Sequence, residues 1–512
     1  MALTMVQILT LLSEHNLLIE KHPGKITPEK FTHVTYDSRQ VQPETLFFCK
    51  GNFKPSYLQQ AKAKGAAAYV AETAYAEGAE LTGLIVTNVQ QAMSLLGAAY
   101  YDFPQNKLFI TGITGTKGKT TTAYFAHSIE DAVTTGKTAL FSTIDRIVGP
   151  KPEQRFKSDL TTPESLDLFH DMAAAVANGM THLVMEVSSQ AFKKDRVYGL
   201  KYDLGIFLNI SPDHIGRNEH PTFADYLYCK EQLLRNSKQV IINAESQHFA
   251  EIYAAAKGSL LDDQIYLYAR KNLLISFETQ VDFEFEETKQ DLKESAIAIN
   301  TYSQKGERLE LDGGYQLGIP GDYNQENAVA AVIASALAGA DAAQIKEYLP
   351  AVRVPGRMEV FPTKEHGTIY VDYAHNYASL KSLLKFLREQ TQDERLIVLT
   401  GSTGDKGISR RSGLGQAISE EADVAILTTD DPATEDPLQI AQEIAEHIDQ
   451  KRIEVQIILD RKTAVKKAIM MSKPNEIVVL AGKGRDATQK VNGKLLSYET
   501  DAKLAADISK EI

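Results

Sequence analysis

The run Leu108-Phe109-Ile110-Thr111-Gly112-Ile113-Thr114-Gly115-Thr116-Lys117-Gly118-Lys119-Thr120-Thr121 carries an apolar strand straight into a glycine-rich turn. Ala123, Tyr124, Phe125 and Ile129 then recur at helical spacing. Strand, turn and helix in that order predict one crossover of a parallel sheet. The glycines let the backbone curl so that successive N–H groups and the helix N-terminus converge on one point, an anion cradle. In such a loop Lys119 reaches the terminal phosphates of a nucleotide, and the Thr120 or Thr121 hydroxyl ligates Mg²⁺. The generic phosphate-loop pattern asks for glycine where Ile113 stands. A tight connection without a ligand is the bland alternative, and the strand, Gly-Lys-Thr and helix together argue against it.

A chain of 512 residues, 43% hydrophobic, exceeds one core and is expected to form three domains. The net charge of -12 and a pI near 5.6 argue against nucleic acid and anionic membrane as partners, because such binding rests on an excess of Lys and Arg. Cys49 and Cys229 match neither a disulfide framework nor a metal spacing. The N-terminus has no basic leader, and no apolar run approaches the length of a membrane span. A cytoplasmic, monomeric protein with no membrane insertion is expected.

Residues 1–102 mix strand and helix signals, among them Val34-Thr35-Tyr36-Asp37-Ser38-Arg39 and Leu46-Phe47-Phe48-Cys49. Residues 103–348 alternate strands with helices through Leu183-Val184-Met185-Glu186-Val187, Leu204–Leu208 and Val240-Ile241-Ile242, the pattern of a mostly parallel sheet. Ile275-Ser276-Phe277 and Val281–Phe285 alternate polar with apolar and suggest an antiparallel addition. Residues 349–356 read as a hinge. Residues 349–512 carry five further strand signals, each ending in a polar or glycine-rich loop, as in a Rossmann-like domain. The expected fold class is α/β in three domains: 1–102, a central phosphate-loop domain 103–348, and a Rossmann-like domain 349–512.

The strand-end loops hold the remaining chemistry. Glu186, followed by Ser188 and Ser189, suits an Mg²⁺ carboxylate beside substrate hydroxyl contacts. Asn209-Ile210-Ser211-Pro212-Asp213-His214 offers His214 to a metal or phosphate. Gly401–Gly407, Asp430-Asp431-Pro432-Ala433 and Gly482-Lys483-Gly484-Arg485-Asp486 complete the set.

Taken together these residues resemble the Mur ligase family. Thr114–Thr121, Glu186-Val187-Ser188-Ser189, Asn209–His214, Asn324-Gln325-Glu326-Asn327-Ala328, Gly356-Arg357-Met358-Glu359 and Asp372-Tyr373-Ala374-His375 are similar to its signatures in order and spacing. Thr35–Arg39, Thr161-Thr162-Pro163 and Asp430–Ala433 resemble the members that add the third amino acid. The resemblance implies ATP-dependent amide formation on UDP-N-acetylmuramoyl-L-alanyl-D-glutamate through an acyl phosphate, in peptidoglycan synthesis. It implies ATP contacts at Gly115, Thr116, Lys117, Gly118, Lys119, Thr120, Thr121, Asn324, Asn327, Arg357 and Asp372. Mg²⁺ would be held by Thr120, Glu186, His214 and a carbamate formed from CO₂ on Lys230. Lys119, Lys230, His214 and Arg357 would act in catalysis. Ser38 would contact the uridine nucleotide in 1–102, and Thr161, Thr162, Ser188 and Arg196 the muramoyl-dipeptide. Residues 349–512 would bind the amino acid, and closure of the domains would bring the substrates together.

Diaminopimelate-adding relatives read Asp-Asn-Pro-Arg in the amino-acid loop, and the arginine can pair with a distal carboxylate. Here Ala433 replaces that arginine and Asp431 the asparagine, so the loop has lost a cation and gained an anion. L-lysine is the substrate this favours, with L-ornithine close behind and meso-diaminopimelate an alternative; Asp430, Pro432 and Asp486 would complete the contact. Gln190 and Pro212 depart from residues common in the family, as does Phe53-Lys54-Pro55-Ser56-Tyr57. A folylpolyglutamate-synthetase-like ligase and a non-enzymatic precursor-binding protein are the competing readings.

Overall fold

The computed structural model describes residues 1–25, 28–213, 215–216, 219–272, 280–292, 295–391, 394–405 and 407–511. The chain divides into two compact units, Met1–Glu286 with Ile299–Gly313 and Asn327–Tyr348, and Glu287–Ala298 with Gly314–Glu326 and Leu349–Ile512.

The first unit holds a short antiparallel pair, Leu3–Thr4 with Lys30–Phe31, and two larger sheets. Near the N-terminus, His33–Thr35, Thr45–Phe48, Ala66–Ala71 and Thr82–Val86 run parallel, and Leu18–His22 lies antiparallel against the last of them. Thr45–Phe48 is buried along its whole length, as an inner parallel strand must be. The second sheet runs in the order Thr138–Phe141, His182–Glu186, Phe109–Thr114, Tyr202–Phe207, Ser237–Asn243 and Ile265–Arg270, every neighbour parallel. Asp145–Ile147 and Arg155–Lys157 add antiparallel pairs beyond Thr138–Phe141. Residues 283–285 of the alternating stretch join parallel to Ile265–Arg270, whereas Ile275-Ser276-Phe277 lie outside the described residues. The phosphate-loop strand therefore sits inside the sheet. Its neighbours end level with it: Glu186 pairs with Ile113 and Phe207 with Thr114. The loops that follow these strands open on the same edge.

The second unit carries a sheet ordered Glu359–Phe361, Thr368–Asp372, Ile477–Ala481, Leu396–Thr400, Val424–Leu427 and Glu454–Ile457, parallel except for the first strand. Leu396–Leu399, Val424–Leu427 and Ile477–Ala481 are unbroken Val, Ile, Leu and Ala runs buried throughout, as inner parallel strands must be. Glu454–Ile457 is the half-exposed edge. Among the described residues no helix is long and apolar enough to cross a membrane.

Candidate active site

Gly118 caps the Lys119–Val133 helix at φ +83°, and a Cβ there would stand 2.1 Å from Asn327 Oδ1. Only glycine closes this turn. Asn327 also accepts from Thr122 Oγ1 at 3.3 Å, so the Ala-rich helix Asp322–Leu337 braces the loop from behind. Asn209 clamps it from the next strand: Oδ1 accepts from Lys117 N at 2.9 Å, Nδ2 donates to Lys117 O at 3.2 Å, and its carbonyl accepts from Thr116 N at 3.0 Å. Thr116 Oγ1 lies 3.1 Å from Tyr226 Oη on the Phe223–Arg235 helix.

Two lysines meet on this loop. Lys119 Nζ donates to Gly115 O at 2.8 Å and to Thr116 O at 3.2 Å. Lys230 Nζ, 2% exposed, donates to the same Gly115 oxygen at 2.7 Å and lies 4.8 Å from the Tyr226 ring centroid. Burial, and secondly the Lys119 charge, hold the Lys230 ammonium well below the ordinary lysine range.

Glu186 ends its strand fully buried. Its two oxygens accept from Thr143 N at 2.7 Å and Thr143 Oγ1 at 3.0 Å, and among the described residues no cation pairs with it. With its hydroxyl proton on Glu186, Thr143 Oγ1 accepts from Thr161 Oγ1 at 3.1 Å. Thr162 Oγ1 bonds the Glu186 carbonyl at 3.0 Å and accepts from Ser188 N at 3.0 Å, and Ser188 caps the short helix Ser189–Lys193. Arg196 donates to Glu164 Oε1 at 3.0 Å and to the Thr162 carbonyl at 3.3 Å, while Lys50 pairs with the other Glu164 oxygen and lies over the Tyr36 ring. Glu186, Thr161, Thr162, Ser188 and Arg196 thus form one contiguous group. Ser38 stands apart from them, at the end of the His33–Thr35 strand, donating to Gln60 Oε1 at 3.0 Å. His214 lies outside the described residues.

In the second unit Asp372 ends a strand and accepts from Met358 N at 2.9 Å and Ala374 N at 2.8 Å. Burial raises its carboxyl, against the pull of Arg357 with NH1 at 3.9 Å. Arg357 lies over the Tyr373 ring, beside a cavity of about 570 Å³ that Pro320, Tyr370 and Arg485 also line. Asn324 donates to Pro320 O at 2.6 Å, and its buried Oδ1 has no hydrogen-bond partner among the described residues.

Asp431 and Asp486, which the sequence presents as open anions, share an internal cation. Lys483 Nζ lies 2.6 Å from Asp431, 3.0 Å from Asp486 and 3.6 Å from Asp430, and is 2% exposed. Burial draws its pKa down, but the three carboxylates outweigh it and the net shift is upward. Pro432 O accepts from Glu435 N, which turns the chain after the loop. Ala433 is buried at φ +53°, bound through its own N–H and carbonyl to Lys490 and Asn492. The residues not foreseen from sequence are Thr143, Tyr226 and Lys483. Only Lys483 had a local signal, standing between two glycines after a buried strand.

These features of the first unit fit a magnesium nucleotide: a cradle that a Cβ would fill and, among the described residues, a buried carboxylate without a cation. Residues 113–335 match the Mur ligase middle domain, and residues 356–484 the Mur ligase glutamate ligase domain.

The chain is a Mur ligase.

Members of the family are ATP-dependent amide ligases that use Mg²⁺. This Mur ligase is 59% identical over 513 residues to the UDP-N-acetylmuramyl-tripeptide synthetase of Ligilactobacillus salivarius (strain UCC118), covering 100% of both chains. It is 50% identical over 476 residues to the UDP-N-acetylmuramoyl-L-alanyl-D-glutamate--L-lysine ligase of Enterococcus faecalis (strain ATCC 700802 / V583), covering 93% of this chain and 91% of that protein. A solved UDP-N-acetylmuramoyl-L-alanyl-D-glutamate--2,6-diaminopimelate ligase matches it with a TM-score of 0.67 at 25% identity over 100% of both chains.

Proposed function

We propose that this Mur ligase joins L-lysine to UDP-N-acetylmuramoyl-L-alanyl-D-glutamate at the expense of ATP, as a cytoplasmic monomer serving peptidoglycan synthesis. The observation that carries the choice of amino acid is the charge of the Asp430–Ala433 loop. Three carboxylates converge on the Lys483 ammonium, with the Arg461 charge also acting on Asp430, and the buried Ala433 methyl offers nothing to a distal carboxylate. A surplus of negative charge favours a side chain ending in an ammonium. The identity to the L-lysine ligase of E. faecalis supports the same choice. Identity that runs through residues 1–102 supports a uridine-nucleotide substrate over a folate.

Residues 1–102 take the uridine nucleotide through Ser38, 103–348 take ATP, and 349–512 take the amino acid. The phosphoryl group passes from ATP to the D-glutamate side-chain carboxylate; the lysine amine then displaces phosphate and loses a proton. Gly115, Thr116, Lys117 and Gly118 present N–H groups to the phosphates. Lys119, now resting on loop carbonyls, turns to the transferred group, where its charge counts most. Asn324, Asn327, Arg357 and Asp372 hold the remainder of ATP, and Arg357 adds positive charge. Mg²⁺, when bound, offsets the charge of the phosphate and carboxylate oxygens. Thr120, Glu186, His214 and Lys230 would hold it. Lys230 serves once its neutral amine has added CO₂ and released a proton, since an ammonium would repel the metal. Thr161, Thr162, Ser188 and Arg196 orient the dipeptide.

Mass spectrometry tests the reading. Protein, ATP, Mg²⁺, UDP-muramoyl-dipeptide and L-lysine should yield the dipeptide heavier by one lysine less water, with ADP and phosphate in equal amounts. ATP hydrolysis without that product would overturn it.

A further inference from the structure

His220 is fully buried beside the Phe223–Arg235 helix. Its Nδ1 lies 2.6 Å from Asp225 Oδ2 and its Nε2 2.9 Å from Ser189 Oγ. An ionised carboxylate only accepts, so Nδ1 carries a proton, and the serine hydroxyl can donate to or accept from Nε2 as the ring requires. The ring also meets Tyr226 edge to face, with centroids 5.2 Å apart and planes at 65°. Tyr226 touches Thr116 through its hydroxyl and Lys230 through its ring face. On one side of His220 is therefore the turn Glu186-Val187-Ser188-Ser189, and on the other the helix face that carries Lys230. Lys193 makes an outer tie between the same helices, 2.7 Å from Asp225 and 37% exposed. The Cys229 thiol stands close enough to His220 and Asp225 for the three to resemble cation ligands. Asp225 is already committed to His220 and Lys193, which is the chemistry of a tether.

We infer that His220 is a positioning residue for the magnesium centre, fixing the spacing between Glu186 and Lys230 through Ser189 on one side and Asp225 and Tyr226 on the other. The inference rests on the metal roles proposed above for Glu186 and Lys230. A divalent cation tolerates little error in the placement of its oxygen ligands, and groups just outside the ligand set govern that placement. Metal affinity is the property that loss of the tether should change first.

The test is Mn²⁺ binding by electron paramagnetic resonance to the full chain, with bicarbonate and a non-hydrolysable ATP analogue and with neither other substrate present. His220→Phe keeps a ring against Tyr226 but loses both hydrogen bonds. Ser189→Ala loses one and leaves His220 on Asp225, which covers the case of a misfolded His220 variant. Each should weaken Mn²⁺ binding about 10-fold. The double variant should be no weaker than the worse single one, because the two residues act through one bond. Lys193→Ala and Cys229→Ser should each change affinity by less than about twofold. Wild-type affinity in a folded His220→Phe or in Ser189→Ala, or effects that multiply in the double variant, would overturn the inference. Failure to turn over L-lysine would not bear on it, whereas wild-type protein that bound no Mn²⁺ would overturn both the metal assignment and this inference.

Discussion

Lys230 and Lys119 donate to one oxygen, the Gly115 carbonyl, at 2.7 and 2.8 Å. Two ammonium groups on one buried acceptor repel, so the more deeply buried one gives up its proton more readily. The neutral amine is the form that reacts with CO₂, and burial together with the Lys119 charge shifts Lys230 toward it. A carbamate signal should appear in the ¹³C NMR spectrum of protein equilibrated with labelled bicarbonate, and be absent from Lys230→Gln. Activity should fall in CO₂-depleted buffer and return with bicarbonate. Lys230→Ala should lose about 100-fold or more in kcat, the scale of removing one charge-stabilising group from a closed site.

Gly118→Ala should abolish ATP binding while leaving the rest of the first unit folded. The new Cβ would stand 2.1 Å from Asn327 Oδ1 in a left-handed backbone. Titration calorimetry with an ATP analogue would show the loss, and wild-type affinity would mean that the loop has another conformation.

Asp431→Asn removes one of the three carboxylates around Lys483. The KM for L-lysine should rise about 10-fold or more with little change in the KM for ATP, from the loss of one charge-assisted contact of about 1.5 kcal/mol or more. An equal rise in both would point instead to general loss of the loop.

The inner strands Leu396–Thr400 and Ile477–Ala481 were legible because unbroken Val, Ile and Leu runs admit few other fates. The phosphate loop was legible because glycine, lysine and threonine are placed by local geometry. Ala66–Ala71 was not, since an alanine-rich segment suits a helix, and only its buried neighbours Thr45–Phe48 and Thr82–Val86 make it a strand. The hairpin Thr488–Val491 and Lys494–Ser497 did carry a signal, Asn492-Gly493, both at positive φ. In the site, Glu186 could be found as a strand-end acid, but its partner Thr143 is 43 residues away in sequence. For the same reason Asp431 and Asp486 read as open anions, although Lys483 lies folded between them.

Glu130 gives a pH signature. Both of its oxygens are buried without hydrogen-bond partners among the described residues, and desolvation raises its pKa from 4.5 to about 8. Between those values the folded state holds a proton that the unfolded state has released, so stability falls as pH rises from about 4.5 to 8. Glu130→Gln removes this loss. Its melting temperature should match the wild type near pH 4.5, exceed it at pH 8, and vary less between. Parallel melting curves across that range would contradict the assignment.

Phosphate release with ATP, Mg²⁺ and UDP-N-acetylmuramoyl-L-alanyl-D-glutamate, compared for L-lysine, L-ornithine and meso-diaminopimelate, tests the central claim most directly. Turnover with L-lysine well above meso-diaminopimelate is the predicted result, from a loop that keeps surplus negative charge and has a methyl at Ala433. Preference for meso-diaminopimelate would contradict the account.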